Sequence, residues 1–165
     1  MAVLVLFLSC RSPYLRDTPG SPDEIVFQDR SGLLTARIPS GAVAHIFEGT
    51  NYDSYVFEWW DGEQLSFRIE IRVLSSQYPD HLAADYENFF QKQCSCTILK
   101  KGWVLVAGQK GREFVYTVED GKTTAIERHF SWKGKMIQLQ GIAPAANQEI
   151  MKNRLQMVQS SLQLL

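Results

Sequence analysis

Several groups of residues in this chain have types and spacings that could do chemistry, and each points to a different reaction. His45, His81 and His129 could serve as bases, but they fall on a predicted loop, a predicted helix start and a predicted strand. No Gly-x-Ser-x-Gly elbow sets a nucleophile beside any of them, so they read as surface or half-buried imidazoles. Gly121-Lys122-Thr123-Thr124 has the tail of a phosphate loop. That motif needs a glycine five residues before its Gly-Lys pair, where Tyr116 stands, and a strand–loop–helix context, whereas the local pattern is strand–turn–strand. Cys94-Ser95-Cys96 supplies two thiols, half of a structural zinc shell, with no second pair to complete it. As a disulfide across one residue the pair fits poorly, since Cα spacing and Cβ direction are restricted; it reads as two ordinary thiols or a disulfide without function. Glu58, Glu63, Glu70, Glu113, Glu119, Asp120 and Glu127 sit on or near strands, with Arg68, Arg72, Arg112 and Arg128 as cross-strand partners. No two of these carboxylates form an acid and a base. The sequence therefore predicts no catalytic residue, no metal ligand and no cofactor, and the chain reads as a non-enzyme.

Two features point instead to binding and attachment. Trp59 and Trp60 are neighbours on a predicted strand, so their rings face opposite sides. With Arg128, Phe130 and Trp132 on a later strand they have the composition that binding hot spots favour, and these five residues are the predicted partner-binding set. Cys10 closes the apolar stretch MAVLVLFLSC. A bacterial lipobox runs Leu-like, small, small, Cys. Phe7-Leu8-Ser9-Cys10 meets it at Ser9 and Cys10 only, and Met1 is followed by Ala2 without a basic start. Lipid on Cys10 would leave an even pair among the three cysteines.

The elements that must position these residues follow from periodicity. Residues 1–10 read as a signal or lipobox-like segment, and 11–24, with Pro13, Pro19, Gly20 and Pro22, as a flexible tether. A single domain follows over 25–165. EIVFQ and LLTARIP are two strands joined through Asp29-Arg30-Ser31-Gly32. YVFEWW and QLSFRIEIRVL form a hairpin on Asp61-Gly62. Leu65, Phe67, Ile69, Ile71 and Val73 share one face of the second strand; Ser66, Arg68, Glu70 and Arg72 share a wetter one. In PDHLAADYENFFQKQ the period becomes helical. WVLVAGQ, REFVYTVE, TTAIERHFSW and KMIQLQGIA are four strands, with hairpins on Asp120-Gly121 and Lys133-Gly134. After Pro144, Met151, Leu155, Val158 and Leu162 make one helical stripe. The order implies an α+β domain, an antiparallel sheet flanked by helices.

Bulk properties narrow the partners. The 165 residues carry 17 basic and 18 acidic side chains, a net charge of -1. Without a basic stripe, nucleic acid is excluded as an expected partner. Outside the first nine residues no apolar run approaches the roughly 20 needed to span a bilayer.

These motifs together resemble PsbP-like domains. DRSGLLTARIPSGAVA is similar to their opening hairpin, although Ala42 and Val43 stand where an aromatic residue usually follows the glycine. DHLAADYENFFQKQ resembles their first helix, and the stretch from Gly111 to Gln163 their closing strands and helix. The resemblance, over roughly residues 25–164, implies an α-β-α sandwich shared with the PsbP protein of photosystem II, the Ran-release factor Mog, small lipoproteins of the DcrB type and type VI effector chaperones. It implies binding to other proteins rather than catalysis. Fold does not fix function, so three expectations stand. The first is a cell-envelope lipoprotein, anchored through a lipid on Cys10, facing the periplasm or surface and binding another protein. The second is a cytoplasmic adaptor or chaperone that retains residues 1–9. The third is a photosystem-subunit-like protein.

Overall fold

The structure, a computed structural model, describes residues 15–17, 24–74, 96–118 and 121–165. Eleven strands and one helix order the described chain: β1 (Leu15–Asp17), β2 (Glu24–Gln28), β3 (Leu34–Pro39), β4 (Val43–Glu48), β5 (Tyr52–Asp61), β6 (Gln64–Leu74), β7 (Thr97–Val106), β8 (Gln109–Val118), β9 (Thr123–Trp132), β10 (Lys135–Pro144), a 3-10 turn at Ala145–Asn147, α1 (Gln148–Ser161) and β11 (Gln163–Leu164). They form two antiparallel sheets, one of order β1-β2-β3-β11 and one of order β4-β5-β6-β10-β9-β8-β7. The fold class is α+β, an antiparallel sheet flanked by a helix, as the element order predicts. The second predicted helix, over PDHLAADYENFFQKQ, lies outside the described residues, as do residues 1–10.

Period-two alternation gives the large sheet two faces. Tyr55, Phe57, Phe67, Ile69, Ile71, Val73, Ile137, Leu139, Ile126 and Phe130 are buried on the inner face. There they meet Phe27, Leu34 and Ile38 of the small sheet and Met151, Leu155 and Val158 of α1 in one core. Phe27 packs its ring on Tyr55 and Phe57, with centroids 4.7 and 5.5 Å away. The predicted stripe on the last helix is thus the face that closes the core.

Several turns and strands differ from the sequence reading, each for a local reason. Leu15–Asp17 pairs with Ile25–Phe27, so three residues inside the predicted tether are paired to the domain, and β2 opens at Glu24. β4 was not expected: His45, read as a loop residue, sits on it. The β5–β6 turn is Gly62-Glu63 rather than Asp61-Gly62, because Asp61 still pairs with Gln64 and only Gly62 has positive φ, 60°. WVLVAGQ is not one strand. It folds back at Ala107-Gly108, whose φ values of 49° and 78° make a two-residue primed turn.

The turn between β2 and β3 is knit by one carboxylate. Asp29 is buried and accepts from the backbone N–H groups of Ser31 (2.9 Å), Leu33 (2.7 Å) and Leu34 (2.7 Å), and from the Ser31 hydroxyl. Replacing it by alanine leaves several inward donors without an acceptor. Asp29→Ala is therefore expected to lower the unfolding free energy by about 2–4 kcal/mol, while Asp29→Asn costs about half as much. Urea denaturation of the two variants measures both.

Candidate functional site

The structure separates the predicted binding residues. Trp59 lies inward, stacked on Phe67 with centroids 4.6 Å apart, and its indole N–H donates to the Ser40 carbonyl at 3.1 Å. Trp60, past a β-bulge, is 47% exposed. Phe130 is buried in the core. Arg128 is also buried, with its guanidinium donating to Glu113 (2.9 Å) and Gln159, and so ties β8 and β9 to α1. Trp132 is partly buried and donates to the Leu165 carbonyl at 3.3 Å. β6 and β10 stand between β5 and β9, so the five do not form one surface. Of the set, Trp60 presents the most open ring.

Other candidates also find their places. His45 Nε2 lies 3.3 Å from Glu58 on the neighbouring strand. Gly121 and Lys122 belong to the turn before β9, and Thr123 and Thr124 open that strand, as the hairpin reading requires. Cys96 is disulfide-bonded; Cys10, Cys94 and His81 lie outside the described residues. Among the described residues, no group of three or more His, Cys, Asp and Glu is set to hold a metal ion.

The outer face of the large sheet holds a polar array that the alternation marks as wet but that is largely buried. One row across the strands runs Ser54–Arg72–Gln138–His129–Arg112–Trp103, and the next Val56–Glu70–Gln140–Glu127–Phe114. Glu70 accepts from Ser54 Oγ (2.6 Å) and from Arg72. Burial opposes the charge on Arg72, but the hydrogen bond and charge of Glu70 win and hold its guanidinium pKa up. Glu127 accepts from Gln140 (3.2 Å), which also donates to the Tyr116 phenol oxygen (2.9 Å). Burial, then the Glu127 charge, pushes the Tyr116 pKa well up, so the phenol stays protonated. His129 Nδ1 is 3.8 Å from Glu127. Glu70 is engaged by Ser54 and Arg72 and Glu127 by Gln140, and among the described residues of this array no nucleophile stands against a base. The array can fix strand register.

A different surface is open. On the outer face of the β7–β8 hairpin, Trp103 is 61% and Leu105 68% exposed. The Trp103 ring lies beneath two cations, with Lys110 Nζ 4.1 Å and the Arg112 guanidinium carbon 4.6 Å from its centroid. The β7 pairs Trp103↔Arg112 and Leu105↔Lys110 build this arrangement directly. Its signal was present in the sequence as the alternation Lys101, Trp103, Leu105 against Gly102, Val104, Val106. It was missed because WVLVAGQ reads as a core strand running through its own turn.

No protein-family model and no curated protein sequence matches this chain. Solved structures do. The cyanobacterial PsbP protein (CyanoP) of Synechocystis sp. PCC 6803 matches with a TM-score of 0.66 at 14% identity, over 90% of this chain and 96% of that one. LpqN of Mycobacterium tuberculosis, described as involved in cell envelope biogenesis, matches with a TM-score of 0.61 at 10% identity, over 86% and 90%. A Bacteroides thetaiotaomicron protein gives 0.52 at 11% identity, over 85% of this chain and 48% of its own. These likenesses show the PsbP-like sandwich fold.

The Arg128–Glu113 pair gives this architecture a pH signature. Burial raises the Glu113 carboxyl pKa, but hydrogen bonds from Arg128 and Lys100 outweigh that and hold it below the ordinary carboxylate value. A depressed folded-state pKa adds stability that is present above the unfolded pKa and lost as pH falls through the folded one. The loss should therefore begin below about pH 4.5. Glu113→Gln is expected to destabilise by about 3 kcal/mol at pH 7, since it strips the buried Arg128 of its charge partner. It should also reduce the acid-induced fall in stability, measured as urea midpoints between pH 7 and 3.

Proposed function

We propose that this chain is a non-catalytic, protein-binding module held at a bacterial cell envelope by a lipid on Cys10, facing the periplasm or the cell surface. The observation that carries the binding reading is the exposed Trp103–Leu105 surface with its two cations, in a domain whose other described large aromatic side chains are mostly buried. Exposed aromatic residues flanked by arginine are a composition that protein interfaces favour. Trp60 and Trp132 are secondary contact candidates in this reading. Arg128 and Phe130 are buried on the inner face and offer no contact surface in this reading.

The envelope part draws on three further features. MAVLVLFLSC places an apolar run before a cysteine. Cys96 sits in a disulfide, a bond that persists in oxidising compartments. The fold is shared with LpqN, a protein described as acting in cell envelope biogenesis, and that description is a reason to look for this chain in the same compartment. A lipidated Cys10 also leaves Cys94 as the only thiol of the chain that can pair with Cys96.

Metabolic labelling with an alkyne palmitate analogue in a bacterial host tests the anchor. Wild-type chain is expected to take label into the membrane fraction and Cys10→Ser to take none. Equal labelling of the two would overturn the lipoprotein reading. For binding, in-cell cross-linking is expected to give a protein adduct with wild type that Trp103→Ser reduces at least about fivefold, the effect of losing a hot-spot side chain.

A further inference from the structure

Among the described residues, β4 is the end strand of the large sheet opposite β7. The hydrogen-bond phase of the sheet fixes which of its backbone groups face outward. Lys133-Gly134, with φ values of 46° and 73°, is a two-residue primed turn. The pair flanking it, Trp132↔Lys135, therefore exchanges both hydrogen bonds, and so does every second pair beyond. Odd-numbered residues of β10 thus bond to β9 and even-numbered ones to β6. Carried through Gln138↔Arg72 and then Ile71↔Tyr55, this phase makes Ser54↔Phe47, Val56↔His45 and Glu58↔Val43 the bonded pairs of β5 and β4. Val43, His45 and Phe47 turn their N–H and C=O groups to β5. Ala44 and Ile46 turn theirs away from the sheet.

The side chains of this edge leave it unguarded. β4, VAHIFE, holds no Lys, Arg or Pro, the residues that commonly blunt an edge strand. On the outer face Val43 is 50% and Phe47 59% exposed, with His45 midway between them. His45 Nε2 lies 3.3 Å from Glu58. On the inner face Ala44 and Ile46 pack against the core. Outward from His45 the strand is apolar in both directions, so reversing it about that residue leaves the pattern the same.

We infer that β4 pairs antiparallel with β4 of a second copy of this chain, with the two-fold axis at His45. Ala44 and Ile46 exchange main-chain hydrogen bonds with Ile46 and Ala44 of the second copy. On the outer face Val43 lies beside Phe47 of the second copy. The imidazoles of the two copies meet at the axis, each beside its own Glu58, so a proton on either has a carboxylate next to it. The contact is isologous and closes on itself, since each copy presents the same strand once. A second copy is the occupant because the edge is self-complementary in shape and charge under this reversal, and because the pairing brings no lysines together, as it would at β7 with Lys100 and Lys101. β4 and β7 are opposite ends of one sheet, so the dimer leaves the Trp103 surface open and does not depend on the protein-binding reading above.

Sedimentation equilibrium of the purified full chain tests the dimer, and is expected to show monomer and dimer in exchange between about 10 μM and about 1 mM. Phe47→Lys should raise the concentration of half-dimerisation at least about tenfold. Val43→Lys/Phe47→Glu should return it to near the wild-type value, because each introduced cation then lies beside an introduced carboxylate of the other copy. Val43→Lys/Phe47→Lys, altered at the same two positions, should stay monomeric; a misfolded chain would not separate these two double variants. His45→Cys should give a covalent dimer on mild oxidation that wild type does not form, since pairs of this non-bonded kind bring their Cα atoms to about 4.5 Å, within reach of a disulfide. Trp103→Ser should dimerise as wild type does. A monomer at about 1 mM, a dimer undiminished in Val43→Lys/Phe47→Lys, no covalent dimer from His45→Cys, or a dimer lost in Trp103→Ser would each overturn pairing through β4 about His45.

Discussion

The inner layer of this domain depends on a side chain that is missing. A Cβ at Gly141 would lie 2.5 Å from Met151 Sδ and 3.2 Å from Leu155 Cδ2. Its absence lets α1 settle directly onto β10. Burial of Met151, Leu155 and Val158 there contributes on the order of 1.5–3 kcal/mol each. From that seat the helix makes its remaining connections. Ser161 Oγ accepts from Arg37 N–H at 2.8 Å, and Gln159 meets both Arg128 and the Leu105 carbonyl. Leu162 then leads into β11, which pairs with β3. One helix thereby fastens the small sheet and two strands of the large sheet's far half to the same core.

The large sheet is specified from both sides. Its inner face would expose the core set if any strand slipped by one residue, and the same slip would drive Glu70 or Glu127 into apolar surroundings. The outer rows convert that threat into register information. Glu70 meets the Ser54 hydroxyl of β5, and Gln140 reaches both Tyr116 and Glu127, only in the observed alignment. Buried ionic groups are weak evidence for net stability. Here their positions along two neighbouring rows account for a unique alignment of β5, β6, β10, β9 and β8 better than they account for any reaction.

Most of the fold was legible because period and turn chemistry agreed. The β9–β10 hairpin was marked by Lys133-Gly134, and α1 by a clean stripe. Where the two signals conflicted, the reading failed. β4 has Val43 and Phe47 exposed and Ala44 and Ile46 half-buried, so both of its faces look apolar and no alternation shows. Ala107 adopts positive φ without the polar side chain that usually marks such a residue, which hid the β7–β8 turn. The site was less legible than the fold. Arginine is usually exposed, which placed Arg128 on the surface, yet a carboxylate from β8 and an amide from α1 hold it inside. Trp103 had the reverse fault, since a tryptophan among Val and Leu reads as core. Only the register with Arg112 and the position at the sheet's end reveal it as open.

An exposed, regular edge strand is ordinarily a hazard, and lysines are one of the devices that blunt it. That function alone would explain Lys100 and Lys101. It does not explain why Trp103 and Leu105 face outward beside Lys101, or why Lys110 and Arg112 of β8 are stacked on the indole rather than spread into solvent. Two copies meeting along β7 would bring Lys101, Lys110 and Arg112 of each hairpin together, a like-charge contact that costs energy directly across a strand pair. Lys101, Lys110 and Arg112 therefore stand against self-association at this edge while the indole stays exposed.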